Sequence, residues 1–188
     1  MGRNARHEVI MAGVGGKGVL LSGDILAESA MPQYHNIVWF PSYASAMRGG
    51  SCECTVVLSD ESIASPILPM ADAIVVLAPS ELKTFEKRVK PGGTLIVEST
   101  GGLLHKIERK DIKVIEIPGV EKAVAVGDIR SANLVLLGAY IGATGAVSPE
   151  LIEKELEKRF GGSKKGLEVN KKAFQEGIRL AQAAKAGG

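Results

Sequence analysis

The stretch Ile10–Ser29, "IMAGVGGKGVLLSGDILAES", decides how the rest of the chain is read. Gly13, Gly15 and Gly18 spell G-x-G-x-x-G, with Gly16 and Lys17 between the last two. An apolar run leads in. From Lys17 to Ala30 the residues Leu20, Leu21, Ile25 and Leu26 fall on one helical face, and Pro32 stops the pattern. Strand, glycine turn and helix in this order open an α/β fold. Glycines allow the tight turn and let backbone N–H groups approach an anion, and the helix N-terminus favours negative charge there.

A dinucleotide site also needs an acidic residue about 20 residues further on, at the end of the second strand, to hold the ribose hydroxyls. Here the second strand is "NIVWF", ended by Pro41, and no Asp or Glu occurs between Glu28 and Glu53. A Walker loop needs Gly-Lys followed by Ser or Thr, whereas Lys17 precedes Gly18 and Val19 follows it. Two readings of the loop by itself stay open. One is a stand-alone NAD(P)- or FAD-binding Rossmann oxidoreductase domain; the other is a turn that merely starts the fold.

Further along, "SCECTVVLSD" alternates as a half-buried strand, and "ADAIVVLAP" is a continuous apolar run of the kind a parallel sheet buries on both faces. A charged helix, "SELKTFEKRVK", is closed by Pro91-Gly92-Gly93 before the strands "TLIVES" and "IKVIEIP". The remainder reads as helices. "SANLVLLGAYIGATG" is apolar almost all round and so buried. Its Gly138, Ala139, Gly142 and Ala143 allow close helix contact, expected within the chain, with a subunit interface as the alternative. Ser148-Pro149-Glu150 starts a further helix with a capping hydroxyl, and Leu167, Phe174, Ile178 and Ala181 stripe the last one. The expectation is an α/β chain, a single three-layer Rossmann-like domain over residues 1–188 with a mostly parallel sheet and C-terminal helices.

With 188 residues and a net charge of +2, the chain lacks the basic excess of a nucleic-acid binder. No apolar run approaches the roughly 18 residues of a membrane span, and no signal-peptide pattern stands at the start. Two cysteines give no disulfide framework, so a cytoplasmic protein is expected. Cys52 and Cys54, two apart on a strand, read as packed sheet residues. His7, His35 and His105 have no metal-ligand spacing, and no Ser elbow or Cys/His arrangement marks a self-contained nucleophile.

The glycine loop does not stand alone. "GVGGKGVLLSGDILAESA" is followed by "PSYASAMRGGSCECTVVLSD", then "IASPILPMADAIVVLAPSEL" and "VKPGGTLIVES", and the tail carries "NLVLLGA" and "EVNKKAFQEG". That succession resembles the gamma subunit, or fused gamma domain, of 2-oxoacid:ferredoxin oxidoreductases over roughly the whole chain. Lys17 stands where the family usually has Gln, and Ala44-Ser45-Ala46 replaces a Gly-Pro-Glu-like stretch. The first exchange swaps a neutral amide for a cation, favouring an anion contact at the cost of an amide hydrogen bond.

The resemblance implies a complex that converts 2-oxoacid, coenzyme A and oxidised ferredoxin to acyl-CoA, CO2 and reduced ferredoxin. Thiamine diphosphate, Mg and iron–sulfur clusters would be held by partner subunits: alpha, beta and a ferredoxin-like delta. The gamma part would be non-catalytic, helping to cover the active site and offering a contact to coenzyme A. Of the 2-oxoacids, overall resemblance points to 2-oxoglutarate, with pyruvate, branched-chain and aryl 2-oxoacids open. Consistent with that division, two cysteines cannot supply the four thiolates of a usual cluster. Gly127-Asp128-Ile129 echoes a thiamine Gly-Asp-Gly motif but breaks at its third position and reads as a turn.

The candidate binding residues are Gly13, Gly15, Gly16, Lys17 and Gly18, and the second element Arg48, Gly49 and Gly50. An arginine fork pairs bidentately with carboxylate or phosphate, and two following glycines let another backbone come close. Tyr43 and Met47 beside it are expected in core or interface packing. A scaffold role without ligand contact predicts instead that changes at Lys17 and Arg48 alter assembly alone.

Overall fold

The structure, a computed structural model, describes residues 6–43 and 50–186. Six strands form one sheet in the order β2-β3-β1-β4-β5-β6. Their ranges are Arg6–Val14 (β1), Asn36–Tyr43 (β2), Ser51–Ser59 (β3), Ala71–Val76 (β4), Val89–Glu98 (β5) and Lys113–Ile117 (β6). β3 runs antiparallel to β1 and β2, while β1, β4, β5 and β6 pair in parallel. The sheet is therefore mixed but mostly parallel, as expected.

Helices α1 (Val19–Ala30), α3 (Gly119–Val126), α4 (Ala132–Thr144), α5 (Pro149–Phe160) and α6 (Lys164–Ala186) gather on one face of the sheet. There Val9, Met11, Val56, Val75, Ile96 and Ile115 pack against Ile25, Leu137, Tyr140 and Phe174. The opposite face, with Ile10, Ile74, Val76, Leu95 and Val97, has a thinner cover. It consists of the one-turn α2 (Leu82–Phe85) and the loop residues Leu68, Leu103, Ile107 and Ile112.

Several elements differ from their sequence signals. β2 runs through Pro41, because an edge strand tolerates a residue without an N–H. β3 is buried from Cys54 to Ser59 rather than on one face, since it lies between β1 and β2. The charged segment after β4 is no continuous helix. α2 is flanked by 3-10 turns at Pro79–Glu81 and Glu86–Arg88, and Leu82 and Phe85 anchor it. Pro91-Gly92-Gly93 lies inside β5, as an excursion between the pairs Ala71↔Val89 and Ala73↔Thr94. α3 has no counterpart in the sequence reading. Ser148 precedes α5, but its hydroxyl makes no capping bond.

The small residues of α4 serve contact within the chain. A Cβ on Gly138 would run into the Phe174 carbonyl, and one on Gly177 into that of Val135, so the backbones of α4 and α6 touch. Among the described residues no helix is long and apolar enough to cross a membrane.

Candidate functional site

The parallel strands β1, β4 and β5 end side by side, and their carboxyl ends open into one cleft of about 390 Å³. Gly16, Lys17 and Gly18 line it beyond β1, Leu77 beyond β4, and Glu98 ends β5. Leu21 of α1 and Val120, Ile129, Arg130, Ala132, Asn133 and Leu136 complete the wall. Connections leave β1 and β4 toward opposite edges of the sheet here, which is where open α/β sheets place ligands.

The glycine loop is built by two different demands. A Cβ on Gly13 would lie 2.9 Å from the Val19 side chain, so this position needs space for the helix to return over the strand. Gly16 and Gly18 have φ of 91° and 75°, a region unfavourable to other residues, and Gly18 is the N-cap of α1 with no side-chain cap. The first turn of α1 thus presents backbone N–H groups toward the cleft, beside the exposed Lys17. The combination favours a carboxylate or phosphate.

The second predicted element meets the first. The Gly15 N–H donates to the Gly50 carbonyl at 3.0 Å, and Ser51 opens β3 opposite Val14. Arg48 and Gly49, like Met47, lie outside the described residues.

Sequence reasoning missed the other walls. Glu98 is 3% exposed; its carboxylate accepts from the Thr100 N–H at 2.7 Å and the Val120 N–H at 3.0 Å, securing the start of α3. Gly119 makes room for it, since a Cβ there would lie 2.6 Å from Oε2. Asn133 reaches the loop from α4. The strand end "VES" and the "NLVLLGA" motif were visible, but nothing local in either pointed to this cleft. The Gly127-Asp128 element is a turn, as its broken motif predicts. Gly127 closes α3 at φ 113°, and the Asp128 carboxylate is engaged by Arg130, which holds it below its ordinary value.

The cysteines pack in β3. Burial pushes the Cys54 thiol up to about 12, and its Sγ donates to the Val19 carbonyl at 3.5 Å. Cys52, partly exposed, is raised by burial and by nearby Glu81.

The topology also bears on the dinucleotide alternative. In such a site the strand after the first helix lies beside the first strand, so that its terminal acid reaches the ribose. Here β3 separates β2 from β1, which places the end of β2 two strand spacings, roughly 10 Å, from the glycine loop.

Residues 8–180 match the family described as pyruvate ferredoxin/flavodoxin oxidoreductase. The chain belongs to that family. Among its relatives, 2-oxoglutarate synthase subunit KorC of Methanothermobacter marburgensis is 34% identical over 182 residues, covering 93% of this chain and 96% of the relative. Ketoisovalerate oxidoreductase subunit VorA of Methanothermobacter thermautotrophicus is 31% identical over 176 residues; the match takes 93% of this chain but spans only 36% of that longer relative. The fold superposes on the gamma subunit of keto/oxoacid ferredoxin oxidoreductase from Geobacter sulfurreducens PCA with a TM-score of 0.82. That pair is 32% identical, with 96% of this chain and 98% of the other covered. Family membership accounts for the ordered motifs from the glycine loop to "NLVLLGA" better than a nicotinamide or flavin site does.

Proposed function

We propose that this chain is the non-catalytic gamma subunit of a thiamine-diphosphate-dependent 2-oxoacid:ferredoxin oxidoreductase, acting on 2-oxoglutarate. The observation that carries the proposal is end-to-end similarity, in sequence and in fold, to separate gamma-sized subunits. The substrate follows the relatives named 2-oxoglutarate synthase subunit KorC, matched over 95–96% of their length at 32–34% identity. Alpha and beta subunits, a ferredoxin-like delta subunit and ferredoxin are the partners this role requires.

The residues divide the implied groups between this chain and its partners. Iron–sulfur clusters belong with partners, because the whole sequence has two cysteines and a usual cluster takes four thiolates. The Asp128 carboxylate is occupied by Arg130, so the Gly127-Asp128 turn does not fit a thiamine diphosphate–Mg site. The glycine-loop cleft does fit an anionic group. Lys17, the α1 N-terminus and the Arg48-Gly49-Gly50 element would face a coenzyme A phosphate, a 2-oxoacid carboxylate or a partner's acidic side chain. In each case the chain's part is to bind and orient, and to help cover the reacting centre.

Co-expression with the partner subunits, anaerobic purification and assay on a panel of 2-oxoacids with coenzyme A and ferredoxin test the assignment. Activity with 2-oxoglutarate that vanishes when this chain is omitted is expected. A chain that binds a nicotinamide or flavin and is active alone would overturn it. In the assembled enzyme, Lys17→Ala should raise the Michaelis constant for one anionic ligand by about tenfold, matching roughly 1.4 kcal/mol of a charge-assisted contact. Unchanged kinetics for every substrate removes the loop from the ligand.

A further inference from the structure

We infer that Asn133 is a positioning residue for the glycine loop, holding the turn at Gly18 in the shape that presents Lys17 and the first amides of α1 to the cleft. This assignment rests on the anion-facing role proposed above for that loop.

Asn133 is 4% exposed at the start of α4, next to Leu134, Val135, Leu136 and Leu137, which are all buried. An apolar side chain would suit that place, since a buried amide is costly unless its donors are used. Both are used at the junction of the loop with α1. Nδ2 donates to Ser22 Oγ at 3.1 Å and to the Gly18 carbonyl at 3.5 Å. Ser22, 1% exposed, donates in turn to the Asn133 carbonyl at 3.4 Å. The same side chain fills the space a Cβ on Gly18 would take, 2.8 Å from both Cγ and Nδ2. Gly18 has no side chain of its own to cap α1, and its left-handed φ of 75° is held from outside the loop. A contact more than 100 residues distant in sequence thus ties the loop to α4, whose backbone is locked against α6.

Hydrogen exchange of the full chain, read by mass spectrometry, tests the assignment. Asn133→Leu keeps the volume and removes both donors. The segment 13–22 should then exchange about tenfold faster, while segments in β4 and α6 keep their rates. Unchanged exchange over 13–22, or equal loosening everywhere, overturns the assignment. Should this variant fail to fold, Ser22→Ala removes the nearer of the two acceptors, together with the hydroxyl that donates to the Asn133 carbonyl, and is held to the same outcomes. In the assembled enzyme, Asn133→Leu should raise the Michaelis constant for the same anionic ligand as Lys17→Ala, with kcat retained. A looser loop with unchanged Michaelis constants upholds Asn133 as the clamp and overturns the ligand role of the loop instead.

Discussion

Lys17 and Cys54 show how differently single residues of one chain answer to their surroundings. Lys17 is exposed at the cleft mouth, so its contribution depends on what docks there. Cys54 depends on nothing outside the fold. With burial pushing its thiol up to about 12, it carries far less thiolate at neutral pH than an ordinary cysteine. In the native isolated chain a thiol reagent at pH 8 should modify Cys52 first and reach Cys54 only on unfolding. Two equally fast native thiols would contradict the burial of β3. The glycine positions were legible in the sequence because G-x-G-x-x-G is a local demand. Glu98 and Asn133 were not, because each acts through partners brought near only by folding: Val120 for Glu98, and Gly18 and Ser22 for Asn133.

Among the elements, the α4–α6 crossing concentrates the packing constraint. Replacing a helical glycine by alanine ordinarily gains about 1 kcal/mol in helix propensity. At Gly177 the new Cβ meets the Val135 carbonyl, a backbone atom that cannot swing aside. The overpacking cost of about 1–3 kcal/mol therefore wins, and Gly177→Ala should lower the urea midpoint. Gly166, in the same helix, faces only Ser163 at 3.2 Å, so Gly166→Ala should be neutral or stabilising. Equal effects at both sites would mean that the crossing is looser than described. Apolar periodicity identified α4 and α6, and the small residues announced a close approach. The bulged "KPGG" looked like a break because its glycines and proline signal a turn, and pairing with β4 carries the strand past it. The charged segment after β4 reads as a helix, yet within α2 only Leu82 and Phe85 find a buried surface, and the chain leaves the helix for β5 at the buried Val89.

Across the whole molecule, the end of the sheet opposite the cleft carries a charge network that sets pH behaviour. Glu8, 6% exposed, accepts from Lys90 at 2.5 Å and from Arg6 at 2.8 Å, and Lys90 also reaches Asp72 at 2.8 Å. Burial pushes the Glu8 carboxyl up, but Lys90 and Arg6 outweigh it and hold the group below its usual 4.5. Its stabilisation is complete above that value and lost as pH falls through the lowered one. His7 has its pKa depressed by burial, against the pull of Asp72. The folded state thus binds its proton less readily than the unfolded chain, and stability drops as pH falls below the ordinary 6.5. Unfolding free energy measured from pH 8 down to about 2 should decline first through His7 and then, below 4.5, through Glu8. His7→Gln should remove the first decline and leave the second; an unaltered profile would show that His7 is not buried neutral. Alone, the sequence determined the α/β class, the strand–glycine–helix opening and the family, since these rest on local propensity and on motifs kept in order along the chain. Only the tertiary structure decided that β3 intervenes between β1 and β2, and that Gly15 meets Gly50. It alone also placed Glu98 and Asn133 around the loop, because strand order and contacts across a hundred residues are set by how the sheet closes its core rather than by any local pattern.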